Sequence, residues 1–423
     1  MCSPPITRRS LLRGGVLLGG AALLPAVGCS PTRSTTWDVA VIGGGVTGLS
    51  AARNLTDHGL STVVLEARDR IGGQLYTDRS FTSVPVELGA GLIHGRDAYT
   101  WELVTEAGAD TVEVDGGADG GSPIDVDVRP RDDEDAAAYL RRVGVPEADW
   151  PPVAVDNEPL DRWSAVWMRR HGLFEWWSSP RKNFRVVGGY DRILAPLADG
   201  LRIRLNSPVR VVRRSSSGVE LSVSGPEGDE VVHASRCVVA LPPGVLKAGD
   251  VRFDPVLPTS HDFALAALEN TDALKLVHEF DRPVFPEEHD VLGWDNGSGF
   301  VFWCPSRGDP EIVVAWAAGP DARDLLDLDT EERFAVGLSA LADAVERDLP
   351  DPVARTTHDW TADEYSRGAY LYVPPGAHDA PETLATPVDE VLYFAGEPTT
   401  GDNTVDGAYA NGYDTTDVLM SML

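Results

Sequence analysis

The chain has 423 residues, 43% hydrophobic and 24% charged, which excludes wholesale disorder and exceeds what one hydrophobic core serves, so two or three domains are expected. Lys and Arg number 36 against 66 Asp and Glu, and the net charge of −30 argues against nucleic acid as a partner. Past the N-terminus no apolar run is long enough to span a bilayer, which excludes a channel.

The opening carries Arg8-Arg9 followed by Leu11-Leu12, then a glycine-diluted apolar stretch from Gly14 to Val27. A basic head, a modest apolar middle and a small-residue end read as an export signal over residues 1–28, and the arginine pair resembles a twin-arginine signal. Ala26-Val27-Gly28-Cys29 resembles a lipobox, which would place a lipid on Cys29 and leave 29–36 as a polar tether. The expectation is an exported protein, lipid-anchored to the outer face of a bacterial cytoplasmic membrane.

Residues 37–66 are the most informative stretch. Asp38–Ile42 has the composition of a buried strand, Gly43-Gly-Gly45-Val46-Thr47-Gly48 follows as G-x-G-x-x-G, and a helical segment carries Leu49, Ala52 and Leu55 on one face. A second strand, Ser61–Leu65, ends at Glu66. In this pattern Gly43 makes the tight turn, Gly45 lets the backbone approach a pyrophosphate and Gly48 lets helix and strand pack closely. The helix N-terminus faces the phosphate charge, and Glu66 is placed to accept a hydrogen bond from a ribose 2′-OH. An unphosphorylated adenosine ribose, as in NAD or FAD, is therefore favoured over NADP.

Glu66-Ala67-Arg68-Asp-Arg-Ile-Gly72-Gly73-Gln74 and Val86-Glu-Leu-Gly89-Ala90-Gly91-Leu92-Ile-His94-Gly95 extend the pattern. Together they resemble the flavin-dependent amine oxidase family, which includes polyamine oxidases, monoamine oxidases and flavin histone-lysine demethylases. The resemblance continues in Leu392-Tyr-Phe-Ala-Gly396-Glu397 and in Thr404-Val405-Asp-Gly-Ala408. It implies an α/β protein, a Rossmann-type FAD-binding domain with an interleaved α+β substrate domain. The FAD domain would take residues 37–95, 185–255 and 386–423, and the substrate domain 96–184 and 256–385. By the same resemblance Glu397 binds ribityl or ribose hydroxyls, the Thr404–Ala408 helix start points at the flavin pyrimidine, and Val209, after Pro208, meets the adenine. Two departures stand out: Gln74 occupies the place of a usual arginine, and Asn411-Gly412-Tyr413 replaces the usual small-Gly-x-Arg ending.

Between these blocks the residues themselves predict strands at 201–205, 209–213, 219–223, 231–234 and 237–241, with a turn at Gly225–Gly228. Asp329 with Glu332 predicts a capping box, and Phe334, Leu338, Leu341 and Val345 an amphipathic helix that stops by Pro350. The acid-rich stretch 110–135 reads as a solvated loop, with a funnel for cationic amines as the sharper alternative.

The chemistry the resemblance implies is hydride transfer from the carbon beside an amine nitrogen to flavin N5. The imine then hydrolyses to an aldehyde, and O2 is reduced to hydrogen peroxide. Lys275, in Thr271-Asp-Ala-Leu-Lys275-Leu-Val-His-Glu-Phe280, matches the lysine that holds a water against N5, and its apolar neighbours predict a lowered pKa. Trp360 would pack on the isoalloxazine, Tyr370 would wall the amine, and His94 would meet the substrate chain. Covalent members carry a cysteine where this chain has Ala369, so the FAD is expected to be non-covalent. Thr404 stands where monoamine oxidases add a tyrosine, which favours polyamines or other primary and secondary amines. Amino-acid oxidation would need an arginine for the carboxylate, with Arg96, Arg169 and Arg367 as candidates. A flavin desaturase and a non-catalytic flavin-binding lipoprotein are the remaining alternatives. No metal-ligand spacing is present.

Overall fold

The computed structural model describes residues 36–114, 128–150, 158–176, 182–226, 228–287, 289, 291–292, 298–308 and 310–423. The export signal, Cys29 and all but the end of the tether lie outside the described residues, as does the centre of the acidic 110–135 stretch. Among the described residues no helix is long and apolar enough to cross a membrane.

An eight-stranded sheet organises the first part of the fold. Thr36–Ile42 lies at its centre, parallel to Thr62–Leu65 on one side and to the C-terminal half of Gly228–Val239 on the other. The short strand Ile203–Arg204 extends it beyond Thr62–Leu65. The expected strands at 231–234 and 237–241 are in fact one. Gly228–Val239 runs unbroken through Ser235-Arg236 because its two halves have different partners. Residues 228–234 pair antiparallel with Gly218–Gly225, while residues 233–239 pair parallel with the central strand, and Leu392–Phe394 joins at Cys237–Val239. The expected 201–205 strand shrinks to two residues, because only Ile203 and Arg204 find a partner there.

A second, antiparallel sheet comprises Val291–Leu292, Val301–Ser306, Glu311–Ala318, Ala273–Phe280 and Ala354–Thr357, in that order. One face is covered by the helix Thr330–Ala344, whose capping box forms as expected: Asp329 Oδ1 accepts from Glu332 N at 2.9 Å and Glu332 Oε2 from Asp329 N at 3.1 Å. That helix ends at Ala344 rather than near Pro350, since Glu346 adopts a positive φ. Leu274, Leu276 and Phe280 enter the core beneath it with Phe302, Ala315 and Phe334. The period-two alternation of a strand then turns Lys275 to the opposite face.

The closing helix, Val405–Ser421, packs along the first helix, Val46–Asp57. A Cβ at Gly412 would collide with Ser50 Oγ, and Asn54 Nδ2 bonds Thr416 Oγ1 at 2.8 Å and Asp417 Oδ1 at 2.9 Å. This explains the unusual Asn411-Gly412: the glycine permits the close approach, and Asn411 Oδ1 accepts from Gly396 N at 2.5 Å. Tyr413 packs edge-on against Tyr409, whose hydroxyl bonds Glu102.

Glu158 ties the second sheet's surroundings together. Its fully buried carboxylate accepts from Thr271 Oγ1 at 2.7 Å and from both terminal nitrogens of Arg323 at 2.6 and 3.1 Å. Arg323 is about one-third exposed, so its charge is only partly stranded when the partner goes. Glu158→Ala is expected to cost about 2 kcal/mol in urea unfolding, below the usual 3–5 for a fully buried pair. A loss under about 0.5 kcal/mol, the range of indifferent surface changes, would contradict this role.

Candidate active site

A cavity opens at the C-terminal ends of the central parallel strands and reaches the second sheet. Ligands bind at this edge of open α/β sheets because strand ends and helix N-termini converge there. Of the residues expected at the cofactor, Gly43, Gly45, Val46, Thr47, Glu66, Ala67, Arg68, Gly73, Gln74, Gly89, Ala90, Val209, Trp360, Gly396, Glu397, Thr404, Val405 and Ala408 line it, and Lys275 and Tyr370 line its other end. Gly48, Gly91, Leu92 and His94 are not among the lining residues.

Three glycines of the fingerprint are glycine for three different reasons. Gly43 has φ +101°, and a Cβ there would strike the Ala240 carbonyl. A Cβ on Gly48 would collide with the Gly43 carbonyl, so Gly48 serves close packing and needs no place in the lining. Gly45 has an ordinary extended backbone, φ −71° and ψ 177°, and a Cβ would meet nothing nearer than Gly73 Cα at 3.9 Å. Neither strain nor packing requires glycine at Gly45; what a side chain would fill there is the cavity. The first helix begins at that point with no side chain capping it and no acid in its first turn. Free amides and the positive end of the helix dipole therefore face the space.

Carboxylates flank this cradle. Glu66 accepts from Gly44 N at 2.6 Å through Oε2 and from Arg68 N at 2.7 Å through Oε1, which fixes its orientation and leaves lone pairs for ribose hydroxyls. Arg68 is held in turn by a two-point bond to Asp363, 2.8 Å each, and by Ser366 Oγ at 2.9 Å. Desolvation works against the Asp363 charge, yet bonds from His358 and Arg68 hold its carboxyl well below the usual range. Glu397 receives the Leu371 N–H at 2.6 Å, and burial pushes its pKa up to about 8. A buried carboxyl bordering the cavity, with one protein donor, suits a polyhydroxylated chain. These features fit a dinucleotide: an anion cradle, two sugar-binding carboxyls, and the Val209 backbone beside Pro208 and Arg210.

At the other end, Lys275 Nζ donates to Glu87 O at 3.2 Å and to Gly89 O. Burial pushes its pKa down to about 8, countered by the nearby Glu87 carboxylate. Burial in turn raises Glu87, whose oxygens accept from Tyr190 N and Thr77 Oγ1, each at 2.7 Å. Trp316 is the cross-strand neighbour of Lys275, and Trp303 lies with its ring centroid 5.5 Å from Nζ. Trp360 is fixed by its indole N–H to Leu88 O at 3.0 Å and by His358 packed edge-on at 4.2 Å. Tyr370 pairs with Thr271 on the short strand Tyr370–Tyr372 and packs beside Ala369, Ala273 and Trp316. Thr404 caps the closing helix, accepting from Gly407 N at 2.9 Å.

His94 is placed differently from the expectation. It pairs with Asn183 on a neighbouring strand, and its Nδ1 lies 2.8 Å from Asn183 Oδ1, away from the lining. Sequence reasoning missed Asp363, His358, Glu87 and Trp316. The first two stand in the same stretch as Trp360, but their roles depend on Arg68, nearly 300 residues earlier. Trp316 reaches Lys275 only through strand pairing.

The Lys275 environment yields a direct test. In the cofactor-free protein, acylation of Lys275 followed by mass spectrometry should show a pH midpoint near 8 rather than the ~10.4 of an exposed lysine. Because the group is a base with a lowered pKa, its charged form costs the fold stability below pH 8, and that cost fades as pH rises towards 10.4. A midpoint near 10 would contradict the burial.

Comparison with known proteins agrees with this geometry. The family model for flavin containing amine oxidoreductases matches residues 46–142 and 167–420. The chain is 28% identical to polyamine oxidase 4 of Oryza sativa subsp. japonica, over 93% of this chain and 90% of that protein. It is 29% identical to polyamine oxidase 2 of Arabidopsis thaliana, over 90% of this chain and 87% of that protein. Among solved structures, putrescine oxidase bound to putrescine superposes with a TM-score of 0.76 at 24% identity, covering 92% of this chain and 99% of that one. Cyclohexylamine oxidase from Brevibacterium oxydans IH-35A gives 0.72 at 20% identity. With the family model spanning most of the chain, this protein belongs to the flavin-containing amine oxidoreductases: it is a flavin-dependent oxidoreductase that oxidises amines.

Proposed function

We propose that the protein holds FAD non-covalently and oxidises a polyamine, or another primary or secondary amine, to the imine and then the aldehyde, with O2 as acceptor. The observation that carries this reading is the composition of the ring end of the cavity: Lys275 on carbonyls, with Trp316, Trp360 and Tyr370 around it. Bound FAD supplies the hydride acceptor for the carbon beside the amine nitrogen and, once reduced, the electrons that turn O2 into hydrogen peroxide. The aromatic faces of Tyr370 and Trp316 favour the amine nitrogen and exclude water. Lys275, titrating near 8, holds or releases a proton at Nζ in the working pH range. Ala369 supports non-covalent attachment, since it offers no thiol, and neither described cysteine, Cys237 or Cys304, lines the cavity.

Amino-acid oxidation loses its proposed carboxylate clamp. Arg96 pairs with Glu113, Arg169 bonds Tyr139 Oη at 2.9 Å and Arg367 bonds Asp250 at 2.7 Å, and none of the three lines the cavity. We assign the FAD domain to residues 37–95, 185–255 and 386–423 and the substrate domain to 96–184 and 256–385. Export and lipid anchoring at Cys29 rest on the Arg8-Arg9 and Ala26–Cys29 motifs alone.

Anaerobic mixing with polyamines, monoamines and amino acids, followed by air, tests the function. Polyamines or simple amines should bleach the flavin, and air should restore it with one peroxide per turnover. Bleaching by amino acids alone, or by no amine, would contradict the proposal.

A further inference from the structure

Gln74 stands at a junction of three segments that line the cavity. Its side-chain Nε2 donates to Gly368 O at 3.0 Å and to Ala369 O at 2.9 Å. Two carbonyl acceptors require a donor, so the amide nitrogen faces them. Its own carbonyl accepts from Ala90 N at 3.0 Å, and a Cβ on Gly89 would run into that oxygen. Gly89 O is in turn an acceptor for Lys275 Nζ. Ala369 leads directly into Tyr370. One residue thus joins the Gly72–Gly73 loop, the peptide that carries Lys275 and the wall that carries Tyr370.

The charge of this residue matters as much as its reach. The cations lining the cavity are Arg68, Arg210 and Lys275. Arg68 is matched by Asp363, and Arg210 is exposed on the first sheet beside Val209. Lys275 bonds only backbone carbonyls and, among the described residues, makes no ion pair. A guanidinium could reach the same two carbonyls as the Gln74 amide, but it would bring a second positive charge to the ring end.

We propose that Gln74 is a positioning residue that clamps the Ala369–Tyr370 wall to the Lys275 anchor with a neutral amide, keeping Lys275 the one cation beside the flavin ring that no carboxylate matches. This rests on the reading that the ring lies between Lys275, Trp360 and Tyr370. The clamp sets the width of the slot, and its neutrality keeps the flavin harder to reduce than a second cation would make it.

The test compares wild type, Gln74→Ala and Gln74→Arg, measuring FAD affinity of each apoprotein and the two-electron midpoint potential of each holoprotein. Gln74→Ala loses both side-chain bonds, and its FAD Kd should rise about tenfold or more, as expected for one to two lost hydrogen bonds. Gln74→Arg should restore affinity to near wild type while raising the midpoint by about 30 mV, a tenfold shift for a two-electron couple. A purely structural residue would not move the potential in a variant whose affinity is restored. Unchanged affinity in Gln74→Ala, or an unmoved potential in Gln74→Arg, would overturn the proposal. Gln74→Met, equal in length and without a donor, replaces Gln74→Ala if the latter does not fold. Loss of the folded apoprotein in both would also overturn it, by making the residue structural. Wild-type protein unable to bind FAD would instead defeat the underlying reading.

Discussion

A chain with a net charge of −30 must hold a cofactor that is itself an anion. Surface lysines cannot solve that problem here; main-chain amides can. The first helix begins uncapped at Gly45, where a side chain would have filled the cavity, and the closing helix begins at Thr404 on the same cavity. The two helices are packed along one another through Gly412 and Asn54, so their N-termini are fixed as a pair. Positive potential is thereby supplied by oriented dipoles rather than by side chains, at no cost in net charge. The rest of the site depends on this arrangement, because Glu66, Arg68 and Asp363 are all positioned from the strand that the first helix returns to.

Beyond the cradle, the cavity concentrates ionisable groups that burial makes reluctant to charge. Glu397 is pushed up and Lys275 down, each to about 8, from opposite directions. Both borders are therefore responsive near neutrality, one where hydroxyls are to be gripped and one where chemistry takes place. Glu87 sits behind Lys275 with its carboxylate spent on Tyr190 and Thr77, so it steadies the lysine electrostatically without bonding to it. The aromatic residues Trp316, Trp360 and Tyr370 then make the lysine's surroundings poor in water and its charge state sensitive to what binds.

Much of this was legible in the sequence. The strand–glycine–helix–strand–acid order of residues 37–66 encodes local geometry, and local geometry is what a linear pattern states well. The capping box at Asp329 and the turn at Gly225–Gly228 were legible for the same reason. Lys275 could be picked out because it interrupts an apolar alternation. What the sequence does not carry is pairing at long range. The unbroken Gly228–Val239 strand depends on partners at both ends, the Arg68–Asp363 bond spans the chain, and His94 is drawn to Asn183 by a strand that no motif announces. Gln74 read as a missing arginine; only the carbonyls of Gly368 and Ala369 give it a task.

The central claim is that amides and two buried carboxyls hold a non-covalent adenine-linked flavin. Acid precipitation of the purified protein, with mass spectrometry of the supernatant and of the pelleted chain, tests it most directly. The account predicts intact FAD in the supernatant, one per chain, and an unmodified polypeptide. A colourless protein, a released nicotinamide dinucleotide, or flavin retained on a peptide would contradict it.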